Sequence, residues 1–283
     1  MKNVFSLLLI FIGGTRMSVK ISACTITKNE EKNIARSIES YKDYVDEIII
    51  VDTGSTDKTV EIANDLSALV FSKGPERSSQ RNFGAKQASG KYLLFLDADM
   101  ILPEQTLNEL LEQCLLENSP DAMYIREHRV GEGLRIKARN FERSFYNATC
   151  IDGLRLFKRE LFLQIGGYDE ALIGTEDWDI DRRILSVTKN VALSDGELFH
   201  NERQLSTEKL LAKKAYYAGK IQAYRDKWDN DKIVRKQLGI WYRFFGVFVE
   251  KGKWLKVLRH PILFFVVMLE RIRIGFVYLK NRK

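Results

Sequence analysis

Cysteine is scarce in this sequence: Cys24, Cys114 and Cys150 stand alone among 283 residues. Three cysteines at wide spacing give neither a disulfide framework nor a zinc cluster, so the chain reads as intracellular, or as folding without oxidation. Histidine is scarce too, with only His128, His200 and His260. No convincing Ser/His or Cys/His set for nucleophilic catalysis can be assembled from them. Long apolar runs are also missing. No stretch reaches 18 residues without a charge, so a membrane-spanning helix is not expected. What remains is ordinary globular material: 45% hydrophobic and 29% charged residues exclude a disordered or fibrous chain. The length suits one large domain, or one domain with an appendage.

The net charge of +7 is unevenly spread. Residues 205–283 hold 19 Lys/Arg against 6 Asp/Glu, a surplus of 13, and residues 1–204 carry the balance of −6. An acidic body is therefore joined to a basic tail. In the tail, aromatics crowd Trp241–Val249, and Lys251, Lys253, Lys256 and Arg259 interleave with Trp254, Leu255, Val257 and Leu258. Eight apolar residues, Ile262–Leu269, follow Pro261. Apolar mass, aromatics and Lys/Arg together suit amphipathic helices lying in an anionic membrane interface. Packing on the body or on a second subunit is the plainer account. Nucleic acid is not expected, since the body is acidic. At the other end, Val4–Ile12 is too short to span a bilayer. Two accounts of residues 1–16 stand open: a short membrane-touching leader, or an untranslated stretch before a start at Met17.

The body alternates strand and helix. Val19–Thr27, Glu47–Val51, Ala68–Phe71 and Tyr92–Leu96 read as strands. Glu30–Tyr44, with Asn29 as N-cap, then Asp57–Leu66, Ser78–Ala88 and Pro103–Leu116, with Pro103 at N1, read as helices. This is an α/β domain with a mostly parallel sheet, in which ligands sit at the carboxyl ends of strands.

Polar residues fall at those ends. Asp52-Thr53-Gly54-Ser55 closes a buried strand, where a carboxylate can meet a base or ribose and N–H groups can face a ligand; helix capping by Ser55 or Asp57 would need no ligand. Asp97-Ala98-Asp99 puts two carboxylates past a strand end, where both can approach one hard cation. Glu176, Asp177, Asp179 and Asp181 crowd six residues. On a helix, Asp177 and Asp181 share a face and Asp179 pairs with Arg183. The helix dipole accounts for two such acids but hardly four, so cation or proton handling is expected. His200 ends a β-like run after this cluster, which makes metal binding credible.

These elements, in this order, resemble the inverting family 2 glycosyltransferases of the GT-A fold. The resemblance rests on Thr25–Glu31, Glu47–Asp57, Arg81-Asn82-Phe83-Gly84, Ala88–Tyr92, Phe95–Asp99, Gly166–Glu170 and Glu176–Asp179. Jointly these motifs are specific, although each alone is weak. The resemblance covers about residues 19–204, within a domain taken as 17–204, and leaves 205–283 as a basic helical tail. It implies that Asn29, Glu30, Asp52 and Ser55 line the nucleotide pocket, with Asp52 facing the base. Arg81 would approach the diphosphate or sugar, and Asp97 the ribose or sugar. Asp99 and His200 would hold a divalent metal, Mn²⁺ or Mg²⁺. Asp177 would be the general base, Glu176 would shape the site and Arg183 would support it from the helix.

The implied reaction moves a sugar from a nucleotide-diphosphate donor, expected to be UDP-linked, to a hydroxyl of a lipid-linked or cell-surface glycan. A polyprenyl-linked acceptor would bring the enzyme to the inner face of the cell membrane as a peripheral cytoplasmic protein. Residues 121–150 add a basic stretch containing Arg126, His128, Arg129, Arg135, Lys137, Arg139 and Arg143. It suits either a phosphate-bearing acceptor or an ordinary solvated strand pair. The rival readings are a sugar-1-phosphate nucleotidyltransferase, faintly supported by Gly13–Met17, and a non-catalytic membrane-associated binding protein. The acidic set argues against the second.

Overall fold

The computed structural model describes residues 11–12, 15–16, 19–201, 212, 215–229 and 231–280. The leader expected over residues 1–16 lies outside these, apart from Phe11–Ile12 and Thr15–Arg16, which pair antiparallel.

Short runs of β-branched and aromatic residues form the central strands, because both of their faces are covered. They are β1 (Ile21–Thr27), β2 (Glu47–Asp52), β3 (Leu69–Ser72), β4 (Tyr92–Asp97), β5 (Met100–Ile101), β6 (Ala122–Arg129), β7 (Leu154–Lys158) and β8 (Val191–His200). The helices of the body are α1 (Ile34–Tyr41), α2 (Thr59–Asp65), α3 (Arg77–Gln87), α4 (Glu104–Leu115), α5 (Leu134–Arg143), α6 (Arg159–Gln164) and α7 (Glu176–Val187). The sheet order is β3-β2-β1-β4-β7-β6-β8-β5. Pairing is parallel along β3-β2-β1-β4 and between β6 and β8; β7 and β5 pair antiparallel with their neighbours.

The two faces of the sheet follow the period-two alternation of its strands. Along β4, Tyr92, Leu94 and Leu96 face a core shared with Ile34, Ile38 and Leu107 of α1 and α4. Leu93 and Phe95 face the other core, with Ala85, Phe162, Ile180 and Ile184 of α3, α6 and α7. The result is a sheet sandwiched between helical layers, with its parallel strand ends gathered along one edge.

Three local expectations are corrected. Helix α1 begins at Ile34 rather than Glu30, and Asn33, not Asn29, stands at its cap. Asn29 instead has φ of 53°, a left-handed conformation that Asn tolerates. Pro103 is the cap residue of α4, with extended backbone, and Glu104 is its first helical residue. Residues 121–150 hold one strand and one helix, β6 and α5, not a strand pair.

The described part of the tail is helical: α8 (Ile221–Lys227), α9 (Lys232–Leu238), short turns over 242–252, α10 (Trp254–Arg259) and α11 (Pro261–Lys280). It packs on the body. Tyr242, Val247, Phe248 and Val267 share a core with Ala138, Phe141 and Phe145 of α5 and the loop after it. Arg271 donates to Glu142 (2.7 Å) and to the Tyr146 hydroxyl (2.8 Å). No described helix is long and apolar enough to cross a membrane. The described cysteines are unpaired thiols.

Candidate active site

The parallel pairing of β2, β1 and β4 sets Thr27 beside Asp52, and Ile26 beside Asp97. The loops leaving β1 and β2 then lock together. Asp52 Oδ1 accepts from the N–H groups of Gly54 (2.9 Å) and Ser55 (2.8 Å), and the Ser55 hydroxyl donates to Oδ2. This is the self-bonded turn that Asp favours, and Gly54 supplies the positive φ of 75° it requires. Asn29 N–H donates to Ser55 Oγ (2.8 Å), while Asn29 Oδ1 accepts from Thr56 N–H (2.8 Å). Glu30 N–H donates to Thr59 Oγ1, and Glu30 Oε2 accepts from Asn33 at 2.7 Å. Asn29, Glu30, Asp52 and Ser55 are thus one connected unit.

Arg81 of α3 is buried and joins two other sequence elements. It donates to Asp97 at the end of β4 (3.1 Å) and to Asp177 at the start of α7 (3.4 Å). Its guanidinium lies 5.3 Å from the centre of the Tyr168 ring. Burial disfavours the Asp97 charge, yet Arg81, Arg155, Arg77 and His200 outweigh it and hold the carboxyl below the usual range. Tyr168 is itself placed by Asn82, whose amide donates to Tyr168 O (2.8 Å) and Glu170 (3.0 Å) and accepts from Tyr168 N–H.

Asp99 and His200 meet because β5 pairs antiparallel with the end of β8, with His200 opposite Met100. His200 Nε2 lies 3.3 Å from Asp99 Oδ2, and His200 Nδ1 lies 3.0 Å from Glu127 Oε1. Burial opposes the charged imidazole, but the bonds to Asp99 and Glu127 raise its pKa to about 9. Glu127 also meets Arg143 (3.1 Å) and Arg155 (3.4 Å). Burial works against its charge, and Arg143, His200 and Arg155 nevertheless hold it well below the usual carboxylate range. No group of three or more His, Cys, Asp or Glu among the described residues is arranged to hold a metal ion. One carboxylate and one imidazole still fit a divalent ion that takes its other ligands from a diphosphate and water.

The four acids of α7 separate by burial. Asp177 keeps 41% of its side chain exposed, whereas Asp179 is 0% exposed. Asp179 is consumed by Arg183 (2.8 Å), Trp228 Nε1 (2.8 Å) and Lys227 (2.8 Å). Asp181 accepts from the Tyr124 hydroxyl (2.9 Å) and Leu154 N–H (3.1 Å); burial raises its pKa well above the usual value. Glu176 is buried, and burial, then Asp177, raises its pKa. The expectation that all four acids handle cations or protons is corrected: Asp179 and Asp181 hold α7 to its neighbours. Arg183 is not brought to the pocket. Beyond Asp179 it donates to Ile165 O (2.8 Å) and Gly167 O (2.6 Å), bracing the turn that carries Tyr168. Gly153 backs Asp177, since a Cβ there would lie 3.3 Å from the Asp177 Cβ.

Residues 22–166 match the family model for glycosyl transferase family 2, and residues 144–233 match one for glycosyltransferase-like family 2. A glycosyltransferase of Rickettsia typhi, itself uncharacterised, is 43% identical over 238 residues, 82% of this chain and 77% of that protein. This chain belongs to glycosyl transferase family 2. Several other Rickettsia relatives match over only about a third of their own length. In fold, the family 2 chain is similar to a mannosyltransferase from Pyrobaculum calidifontis solved with GDP-Man and Mn²⁺ (TM-score 0.59, 16% identity, 87% of this chain and 74% of that one). It is also similar to Staphylococcus aureus TarS 1–349 with UDP-GlcNAc (TM-score 0.54, 21% identity, 90% and 81%). These likenesses show a GT-A-type fold, as the motif order implied. Sequence reasoning missed Glu127, Arg155 and Tyr168. For Arg155 the available signal was a charge between leucines in the strand Leu154–Lys158; for Tyr168 it was the motif Gly166–Glu170 that contains it, and Glu127 had none of its own.

Proposed function

We propose that this family 2 glycosyltransferase is an inverting enzyme. It would move a sugar from a nucleotide-diphosphate donor, UDP-linked by preference, to a hydroxyl of a lipid-linked or cell-surface glycan. The observation that carries the reading is Arg81, buried between Asp97 and Asp177 and one motif away from the Asp99–His200 pair. In this reading the unit of Asn29, Glu30, Asp52 and Ser55 receives the nucleoside. Asp97 and Arg81 orient the sugar and diphosphate. A Mn²⁺ or Mg²⁺ ion bound by Asp99 and His200 would offset the charge that builds on the leaving diphosphate.

Asp177 is the base. It is the exposed acid of its cluster and lies beside the cation that also holds Asp97. It takes the proton from the acceptor oxygen as that oxygen attacks the anomeric carbon. One displacement inverts the anomeric centre and asks for no nucleophile of the enzyme. Glu176 gives a partly desolvated wall to the base, and Arg183 braces the Tyr168 turn. The domain reading follows: residues 17–204 carry the transfer, and 205–283 bring the site to an acceptor at the inner face of the cell membrane.

A thermal-shift screen of nucleoside diphosphates and nucleotide sugars with Mn²⁺ or Mg²⁺ tests the donor, because ligands of the native state raise Tm by mass action. Nucleotide-sugar hydrolysis by Asp99→Ala and Asp177→Asn tests the roles: turnover at the level of the unmodified chain in both variants would sink the assignment.

A further inference from the structure

Helix α11 is apolar on two sides. Its inner side, through Phe264 and Val267, rests on the α5 core. Its outer side carries Ile262, Phe265, Leu269, Ile272 and Phe276, at steps of three and four residues along one stripe, all exposed. Phe265 is 62% exposed and Phe276 69%. The segments before it repeat the arrangement. Tyr242, Val247 and Phe248 point into the same core, while Trp241, Phe245 and Val249 are exposed, Trp241 by 80%. In α10, Val257 packs inward and Trp254, Leu255 and Leu258 lie outward. The three segments follow one another in the chain, rest on one core by their inner sides, and together leave more apolar side chains exposed than a scatter of single surface residues would.

The charge of this face has one sign. Arg259 and Arg273 are exposed along it, while Lys251 and Lys256, also exposed, turn their ammonium groups back to Ala148 O (3.2 Å) and Ser144 Oγ (3.4 Å). The two acids within residues 241–276 are already paired, Glu250 with Lys236 (2.7 Å) and Glu270 with Arg135 (3.0 Å). A second copy of the chain meeting this face about a two-fold axis would bring like charges together. We infer that residues 241–276 form a docking face for an anionic lipid surface, entered by the outer stripe of α11 and the aromatics before it, with Arg259 and Arg273 at the headgroups. The inference rests on the proposed transfer only for its purpose, which is to meet a lipid-borne acceptor. The face adjoins the site through α5. Its Arg143 bonds Glu127, and Glu127 bonds His200.

The test is sedimentation of the full chain with vesicles of phosphatidylglycerol and phosphatidylethanolamine, against vesicles of phosphatidylcholine alone. The expected result is binding to the anionic vesicles, weakened by salt. The double variant Arg259→Glu, Arg273→Glu should lose at least about 25-fold in partitioning, at about fivefold per charge. The triple variant Phe265→Ser, Ile272→Ser, Phe276→Ser should lose binding while keeping its melting temperature and its nucleotide-sugar hydrolysis in solution. Equal partitioning to neutral and anionic vesicles, or unchanged binding in both variants, overturns the inference. So does a dimer that the triple variant converts to monomer without vesicle binding, because a second copy then covers the face. Vesicle binding by a chain that hydrolyses no nucleotide sugar leaves the docking face standing and removes the transfer reading instead.

Discussion

At the ends of β1 and β2, carboxylates are held by neutral groups; at the ends of β4, β6 and β8, they are held by cations. Among the described residues, the bonds to Asp52 come from two backbone N–H groups and one hydroxyl. Farther along the sheet, Asp97 and Asp177 share Arg81, and Glu127 gathers Arg143, Arg155 and His200. Neutral bonds fix a loop's shape and leave the carboxylate's charge uncompensated, which suits accepting hydrogen bonds from a base or ribose. A lattice of paired ions is balanced in advance, so charge can arrive or develop there without unpaired groups being left in a dry site. On the proposed reading, the site has a shape-reading side and a charge-handling side.

The largest expected effect separates the two sides directly. Asp177→Asn should lower glycosyl transfer by about 10²- to 10⁴-fold, the usual share of a general base. Nucleoside-diphosphate affinity, measured by calorimetry, should stay within about threefold, because the shape-reading side is untouched. Loss of nucleotide affinity in parallel with transfer would erase the distinction.

Next comes Glu127→Gln. Glu127 fixes the ring of His200 from the side opposite Asp99, and partners of this kind typically carry about 10- to 100-fold in metal affinity. Mn²⁺ titration in the presence of a nucleoside diphosphate should show that loss. The thermal stability should also fall, since Arg143 and Arg155 keep their charge without their shared carboxylate. Nucleotide affinity without metal should not change.

Asp52→Asn probes the other side. The amide oxygen can still accept from Gly54 and Ser55 N–H, but the charge-assisted bond from the Ser55 hydroxyl is lost. A cost of about 1 kcal/mol corresponds to roughly fivefold weaker nucleotide binding. Mn²⁺ affinity should be unaltered. An effect on Mn²⁺ as large as that of Glu127→Gln would join the two sides into one.

The shape-reading side was the more legible in the sequence. Its residues lie in two short motifs next to strands that read clearly as buried, so contiguous residues carried the signal. Glu47–Val51 and Tyr92–Leu96 became strands with one residue added to each. The charge-handling side is assembled from β4, β6, β7, α3, α5, α7 and the end of β8, and no single window contains it. Glu127 stands between Arg126 and His128 in a basic stretch, and nothing local says that Arg143, Arg155 and His200 converge on it. In the acid cluster of α7, spacing placed Asp179 opposite Arg183 correctly. It could not foresee that Trp228 and Lys227 of the tail would bury that carboxylate. The tail itself split in a way that composition cannot express: the same helix packs inward by one side and stays apolar on the other.

The smallest effect expected is a change in how acid unfolds the protein. Asp97 and Glu127 titrate below their ordinary values because the surrounding cations outweigh burial. Groups of this kind contribute stability that is complete above the unfolded values, about 3.9 for Asp and 4.3 for Glu, and is lost as pH falls through the lower folded values. Buried Asp181 and Glu176 work in the opposite direction. Their values are raised, so the cost of charging them at neutral pH is relieved as they take up protons on acidification. The two contributions act in different windows, the raised groups above about pH 4 and the lowered ones below it, each amounting to about 1.4 kcal/mol per unit of displacement. Glu127→Gln removes one group of the first kind. The melting-temperature gap between Glu127→Gln and the unmodified chain should therefore be widest near neutrality and narrow below about pH 4. A gap that stays constant into acid would mean that Glu127 matters for its shape rather than its charge, and the charge-handling side would lose its central member.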